Sequence, residues 1–184
     1  MKSLYSIATG LILTVLAAGS CAKESRETQY AAQETRIESF VNSQLSANPD
    51  AYVVHQDGTE RLVLVEGSGD ALESGGTVSF YWAGYIMNGS SLNSSNLFGT
   101  NSKDIAGNAG WDTSDEEAFR IETLTLGSDA LVTGLENGLY GVKGGQECIL
   151  LFSGKYGFGK RPLGTIPANA ALAYHIWVES LSND

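Results

Sequence analysis

Two hydrophobic periods in the last two thirds of the chain limit its fold more than any other feature of the sequence. In residues 77–82, Val, Phe and Trp alternate with Thr, Ser and Tyr, which is typical of a strand with one buried face. In residues 130–140, Leu131, Leu135 and Leu139 recur every four residues, on one face of a helix. Further strands are predicted at residues 52–54, 61–65, 121–126, 146–152 and 171–181. Strands around one short helix predict an α+β domain with an antiparallel sheet.

A long polar segment, residues 87–118, interrupts the strand patterns. It contains Asn88-Gly89 and an acidic cluster at residues 112–117. Loops of this length in compact domains are usually functional or disordered. The acidic cluster lacks the ligand spacing of an EF-hand, so we expect a solvated acidic loop, with a calcium-binding loop as the alternative.

The first twenty residues have the composition of an export signal. Lys2 precedes an apolar run over residues 4–18, which is shorter than the ~20 apolar residues that a membrane-spanning helix needs. Small residues follow, as in a secretory signal peptide. Residues 16–21 (LAAGSC) resemble a bacterial lipobox, and this resemblance implies cleavage before Cys21 and lipidation of its thiol. The alternative is an ordinary cleaved signal followed by an unmodified cysteine.

Residues 21–50 are expected to form a tether and a helix that lead to a domain at residues 51–184. Apolar residues recur here at helical spacing, namely Tyr30, Ile37, Phe40, Val41 and Leu45. Pro49 ends the pattern, because proline disfavours a helical residue before it. The helix either packs on its own domain or acts as a dimerisation or docking helix, and we expect the former.

Charge and cysteine content narrow the possible partners. Eleven basic and 21 acidic residues give a formal net charge of −10, which argues against a nucleic-acid partner, because phosphate backbones are bound by clustered Lys and Arg. Cys148 lies in an apolar run and is expected to be a buried, unreactive thiol. No metal-ligand cluster, phosphate-binding loop or nucleophile–base pair is recognisable in the sequence, so no cofactor or metal is expected.

An ordered set of glycine-containing motifs resembles FKBP-type peptidyl-prolyl isomerases. The motifs are Phe80-Tyr81-Trp82-Ala83-Gly84, Asn88-Gly89, Leu126-Gly127, the stretch 131–139, Gly144-Gly145, Lys155-Tyr156-Gly157-Phe158-Gly159 and the stretch 163–170. The resemblance covers about residues 62–181. It implies a twisted antiparallel β-sheet wrapped on a short α-helix, here with an extra N-terminal helix. It also implies an apolar pocket for the proline of X-Pro bonds, with no covalent catalytic residue.

The same resemblance implies the residues that line the pocket. They are Trp82, Leu92, Asn93, Leu131, Val132, Leu135, Phe158, Ile166 and Tyr174. Several of them differ from the usual family residue: Trp82 and Phe158 stand where Tyr is usual, Leu135 where Trp is common, Leu92 at an aromatic position and Asn93 at an Asp. By register, Glu122 falls at another aromatic position. The predicted pocket is therefore apolar, but it is less aromatic than is usual and has fewer polar groups.

These inferences predict an exported, lipid-anchored peptidyl-prolyl isomerase that assists folding of envelope proteins. Its partners would be proline-containing polypeptides and, through Cys21, a membrane, most simply the outer membrane of a bacterial envelope with the domain facing the periplasm or the cell surface. Two alternatives stay open: a catalytically weak or inactive FKBP-like peptide-binding chaperone lipoprotein, and a surface lipoprotein whose partner docks on residues 87–118.

Overall fold

A computed structural model describes the backbone of residues 4–183 and the side chains of residues 23–183. The first helix, α1, spans Leu4–Ala47. It ends two residues before Pro49, as expected because proline disfavours a helical residue before it. The chain divides into two compact units between Ala32 and Gln33. The predicted signal peptide and the lipidation of Cys21 lie outside the described side chains. Within the described part of the chain, no helix has the length and apolar character needed to cross a membrane.

In the second unit, the described residues form a seven-stranded antiparallel sheet, in the order β1-β2-β6-β7-β3-β4, with β5 also paired to β3. The strands are β1 (Tyr52–Gln56), β2 (Thr59–Val65), β3 (Thr77–Ile86), β4 (Leu97–Thr100), β5 (Glu122–Thr125), β6 (Glu147–Phe152) and β7 (Leu172–Ser182). Two short helices join them, α2 (Lys103–Asn108) and α3 (Thr133–Leu139). The predicted α+β class with an antiparallel sheet and an N-terminal helix is confirmed.

The alternation along each strand divides the core between the two faces of the sheet. Even-numbered residues of β3, β6 and β7, such as Phe80 and Tyr174, pack in one cluster with α3. Odd-numbered residues pack in a second cluster with Ile37, Phe40 and Val41 of α1. Residues 33–47 of α1 therefore pack on their own domain and cover the face opposite α3.

Side chains of α1 also bind the loop between β6 and β7. Gln33 Nε2 donates to the Asn169 carbonyl (2.7 Å), and Gln33 Oε1 accepts from the buried Gly154 N–H (2.9 Å). Nearby, Ser153 Oγ donates to Glu34 Oε1 (3.3 Å). Because Gln33 itself is buried, its amide acts as a fixed bridge between the helix and both ends of this loop.

The prediction that residues 87–118 form one polar loop is wrong. The segment contains β4, α2 and a 3-10 turn at Glu116–Phe119. A strand of four residues and a helix of six are too short to produce a clear hydrophobic period. Ser102 caps α2 by accepting from the Ile105 N–H, a preference that is readable in sequence only once the helix is known.

The acidic residues of this segment lie in solvent. Asp112, Asp115 and Glu116 are exposed, and Glu116 forms an ion pair with Lys103. Hydrogen bonds from Ser114 hold the pKa of the Asp112 carboxyl below its usual value. Among the side chains of residues 23–183, no group of three or more His, Cys, Asp or Glu is placed to hold a metal ion.

Cys148 belongs to β6, and its side chain is fully enclosed in the core. Burial raises the pKa of its thiol to about 12, so the group is protonated at neutral pH. A protonated, enclosed thiol is a poor nucleophile, which agrees with the prediction of an unreactive cysteine.

Candidate functional site

A cluster of aromatic rings lies where β3, β4, β6 and β7 meet, with Tyr174 at its centre. The Tyr174 ring centroid is 5.8 Å from Trp82, 5.6 Å from Phe98 and 6.0 Å from Phe152. The Phe98 contact is edge-to-face and the Phe152 contact is stacked, both favourable geometries for aromatic pairs. Trp82 and Phe98 are only half-buried, so the cluster is open to solvent beside these two rings.

Aliphatic and aromatic side chains from three other elements complete this cluster, which we call the Tyr174 cluster. They are Leu131 and Val132 before α3, Leu135 within α3, and Phe158 and Ile166 in the β6–β7 loop. The structure thus brings together seven of the nine predicted lining residues. Ile166 and Tyr174 are buried, and the other five are half-exposed.

The structure does not bring Leu92 or Asn93 to this cluster. Leu92 packs with the core cluster on the opposite face of the sheet. Asn93 is exposed, and its Oδ1 accepts from the N–H and the hydroxyl of Ser95 (3.0 and 2.6 Å), which closes a local Asx turn. Glu122, at the predicted aromatic position, is exposed on β5.

Phe98 and the fully buried Phe152 are the members of the cluster that the sequence prediction missed. Phe98 lies in β4, inside the segment predicted to be a loop. Its ring crosses over Gly84 of β3. A Cβ added at Gly84 would lie 2.4 Å from the Phe98 ring, so glycine at this position is what lets the ring reach Tyr174. Gly84 itself is paired with Gly99, and the register shifts beside it, so no pattern in the sequence identifies this contact.

The backbone of Trp82 is held by the last residue of β4 and the residue that follows it. Asn101 Oδ1 accepts from the Trp82 N–H (2.6 Å), and Thr100 Oγ1 donates to the Trp82 carbonyl (2.6 Å). Asn101 Nδ2 also donates to the carbonyls of Phe80 and Arg120 (3.3 and 3.1 Å). This buried amide therefore fills the gap between β4 and β5 along the edge of β3 and fixes one wall of the cluster.

The β6–β7 loop is held to the cluster by backbone hydrogen bonds. The Gly134 N–H at the start of α3 donates to the Tyr156 carbonyl (2.9 Å), and the Asn169 N–H donates to the Gly159 carbonyl (2.7 Å). Leu163 and Ile166 exchange two backbone hydrogen bonds. These bonds place Phe158 and Ile166 on a loop that is anchored at several points.

The Tyr174 hydroxyl is the polar group at the centre of this apolar cluster. Tyr174 is 6% exposed, and burial raises the pKa of its hydroxyl, so the group is protonated at neutral pH. Among the described residues, no side chain or carbonyl forms a hydrogen bond with it. The cluster thus combines apolar side chains with a hydroxyl that has no partner among the described residues.

Comparison with known families decides what kind of domain carries this cluster. The family model described as "FKBP-type peptidyl-prolyl cis-trans isomerase" matches residues 69–179. The chain belongs to this family. This FKBP-type isomerase is also similar to "FK506-binding protein 1" of Aspergillus oryzae, with 26% identity over 119 residues, 65% of this chain and 94% of that protein. Peptidyl-prolyl cis-trans isomerisation is therefore the activity of its class.

Solved structures show the same fold. The FKBP-type isomerase is similar to the three FKBP domains of wheat FKBP73 (TM-score 0.57, 16% identity), over 73% of this chain and 52% of that one. It is also similar to FkpA from Escherichia coli (TM-score 0.55, 18% identity), over 98% of this chain and 73% of that one. The chain thus spans about half the length of the wheat structure.

Proposed function

We propose that this FKBP-type isomerase interconverts cis and trans X-Pro bonds of polypeptides by binding the proline ring in the Tyr174 cluster. The observation that carries the proposal is the contact of the Trp82 and Phe98 rings with the ring of Tyr174. Five further apolar side chains belong to or pack against the same core cluster, namely Leu131, Val132, Leu135, Phe158 and Ile166. All of these side chains except Ile166 and Tyr174 are half-exposed, and together they would form an apolar site supplied by β-strands, by α3 and by the β6–β7 loop.

The chemistry of the reaction suits such a site. Rotation about the X-Pro bond meets a barrier of ~20 kcal/mol, because the C–N bond has partial double-bond character, and without a catalyst it takes about 10–100 s. No bond is broken, so no nucleophile is needed. Apolar walls that hold the proline ring and exclude water favour the twisted amide, which is less polar than the planar forms.

Export and membrane attachment form the second part of the proposal. It is supported by the apolar run at residues 4–18 and by the lipobox-like stretch that ends at Cys21. The mature protein would begin at Cys21, with residues 21–50 as the tether and helix and with the isomerase domain held near a membrane of the envelope. Its substrates would then be exported proteins that fold there.

A protease-coupled assay tests the isomerase activity, because the protease cleaves only the trans form of an X-Pro peptide. Wild type is expected to accelerate the slow phase. Leu135→Arg, which places a charge in the cluster, should abolish the acceleration. Val65→Arg is the matched control, because Val65 is 50% exposed on β2 and lies outside the Tyr174 cluster. Acceleration by wild type no greater than that by Leu135→Arg would refute the activity.

Radiolabelling with palmitate tests the anchor. Wild type expressed in a bacterium with lipoprotein processing should be labelled, and Cys21→Ala should not. An unlabelled wild type would refute lipidation while leaving the isomerase proposal intact. Protease added to whole cells would then show whether the domain faces the cell exterior.

A peptide-binding chaperone without useful turnover is the second candidate. It is favoured by Phe158, which brings no hydroxyl to the cluster, and by the outward position of Asn93. This candidate predicts that calorimetry detects binding of a proline peptide and that aggregation of an unfolded protein is suppressed. The slow phase of the coupled assay would then be unchanged.

A further inference from the structure

We infer that the Tyr174 hydroxyl binds the substrate by donating a hydrogen bond to the carbonyl of the proline residue itself. The inference rests on the proposed function, and it assigns to β7 the substrate-facing hydroxyl that Phe158 on the β6–β7 loop does not provide.

The first observation is an unused hydroxyl in a nearly closed site. Tyr174 is 6% exposed, yet within residues 23–183 its hydroxyl meets no hydrogen-bond partner. The oxygen is not among the fully enclosed unpartnered atoms, which are Glu60 Oε2, Arg61 Nε and Gln146 Oε1. It therefore reaches the surface of the cluster, where a bound molecule can meet it. Phe would pack equally well here, so packing alone does not account for a hydroxyl at this position.

The second observation is the surroundings of this hydroxyl. Rings of Trp82, Phe98 and Phe152 lie within 6.0 Å of the Tyr174 ring, centroid to centroid. A proline held against these rings would displace water from around the hydroxyl. A hydrogen bond formed there is stronger than one in water, because the local dielectric constant is lower. Trp82 also carries an N–H, but this residue is half-exposed and water can satisfy it.

The chemistry of isomerisation decides which carbonyl the hydroxyl serves. The carbonyl before proline rotates during the reaction and loses charge as conjugation is lost, so a bond to it would favour the planar ground state. The carbonyl of proline itself lies outside that amide and stays in place. A donor to this carbonyl stabilises ground and transition states equally, which lowers KM and leaves kcat unchanged.

The test compares two Tyr→Phe variants of the full chain. Tyr174→Phe removes the hydroxyl and keeps the ring. Tyr85→Phe is the matched control, because Tyr85 is equally buried (8% exposed) but packs on the opposite face of the sheet. KM and kcat are measured with an Ala-Pro tetrapeptide, affinity for the same peptide by calorimetry, and unfolding by urea.

Loss of one hydrogen bond predicts about a five-fold rise in KM and in the dissociation constant for Tyr174→Phe, with kcat unchanged. Tyr85→Phe should match wild type in KM, in kcat and in the dissociation constant. Unchanged KM for Tyr174→Phe, or a fall in kcat alone, would overturn the inference, as would a loss of affinity in Trp82→Phe but not in Tyr174→Phe. If wild type has no turnover, the proposed function fails, and the calorimetric comparison still decides whether the hydroxyl binds peptide.

Discussion

Replacing Gln33 with Ala is expected to destabilise the domain and to loosen the β6–β7 loop. The Gln33 amide accepts from the buried Gly154 N–H and donates to the Asn169 carbonyl. Leaving a buried donor without a partner costs about 1–3 kcal/mol, and a lost hydrogen bond costs about 1 kcal/mol more. The better helix propensity of Ala returns a few tenths of a kcal/mol. The net loss is about 2–4 kcal/mol.

Urea unfolding of the full chain, followed by tryptophan fluorescence, measures this loss. With a slope of about 2 kcal/mol/M, the midpoint should fall by about 1–2 M. Gln33→Glu keeps the acceptor for Gly154 and loses the donor to Asn169, so it should lie between wild type and Gln33→Ala. Gln44→Ala is the matched control on α1, because its side chain contacts Asn48 at an exposed position.

The loop contributes Phe158 and Ile166 to the Tyr174 cluster, so Gln33→Ala should also lower kcat/KM under conditions where it is fully folded. Gln44→Ala should change the free energy of unfolding by less than about 0.5 kcal/mol. If Gln33→Ala loses no more stability than Gln44→Ala, the bridge between α1 and the loop does not stabilise the domain, and the reasoning fails.

Three further predictions concern the core and pH. Gly134→Ala should lower the urea midpoint, because its Cβ would lie 2.3 Å from the Phe152 ring. Gly107→Ala is the control and should leave the midpoint unchanged, because the nearest atom to its Cβ would be 4.0 Å away. Burial lowers the pKa of His175 from 6.5, so the unfolded state binds more protons than the folded state. The free energy of unfolding should therefore fall as pH drops below 6.5. If the free energy of unfolding of His175→Gln falls by the same amount over this pH range, His175 is not the cause. In a Cys21→Ala background, Cys148 should react with a thiol reagent only at the rate of unfolding, and rapid labelling of folded protein would count against its burial.

Regular periodicity made most of the fold predictable. Strands β3, β6 and β7 have alternating or continuous apolar patterns, and α3 shows its leucines at helical spacing. The faces of the sheet also follow from this alternation, since each side chain of a strand points opposite to its neighbours. Periodicity does not show which distant strands pair. It also does not reveal β4 and α2, because these elements are too short to repeat a hydrophobic pattern.

The candidate site was predictable where it lies on regular elements. Trp82, Leu135 and Tyr174 belong to β3, α3 and β7, and the structure brings them together. Leu92 and Asn93 precede β4, and the position of such residues depends on a turn that Asn93 itself closes with Ser95. Phe98 could not be placed, because its contact with Tyr174 depends on the missing side chain of Gly84.

The buried amide of Asn101 has a consequence for how this domain tolerates change in length. By bonding to Phe80, Trp82 and Arg120, it brings the two ends of residues 102–119 to the same edge of β3. A segment whose ends already meet can be lengthened at little entropic cost, because closure entropy grows only slowly with loop length. The segment is thus a natural place to graft a foreign loop at this edge of the sheet, provided that Asn101 and the backbone of Arg120 are kept.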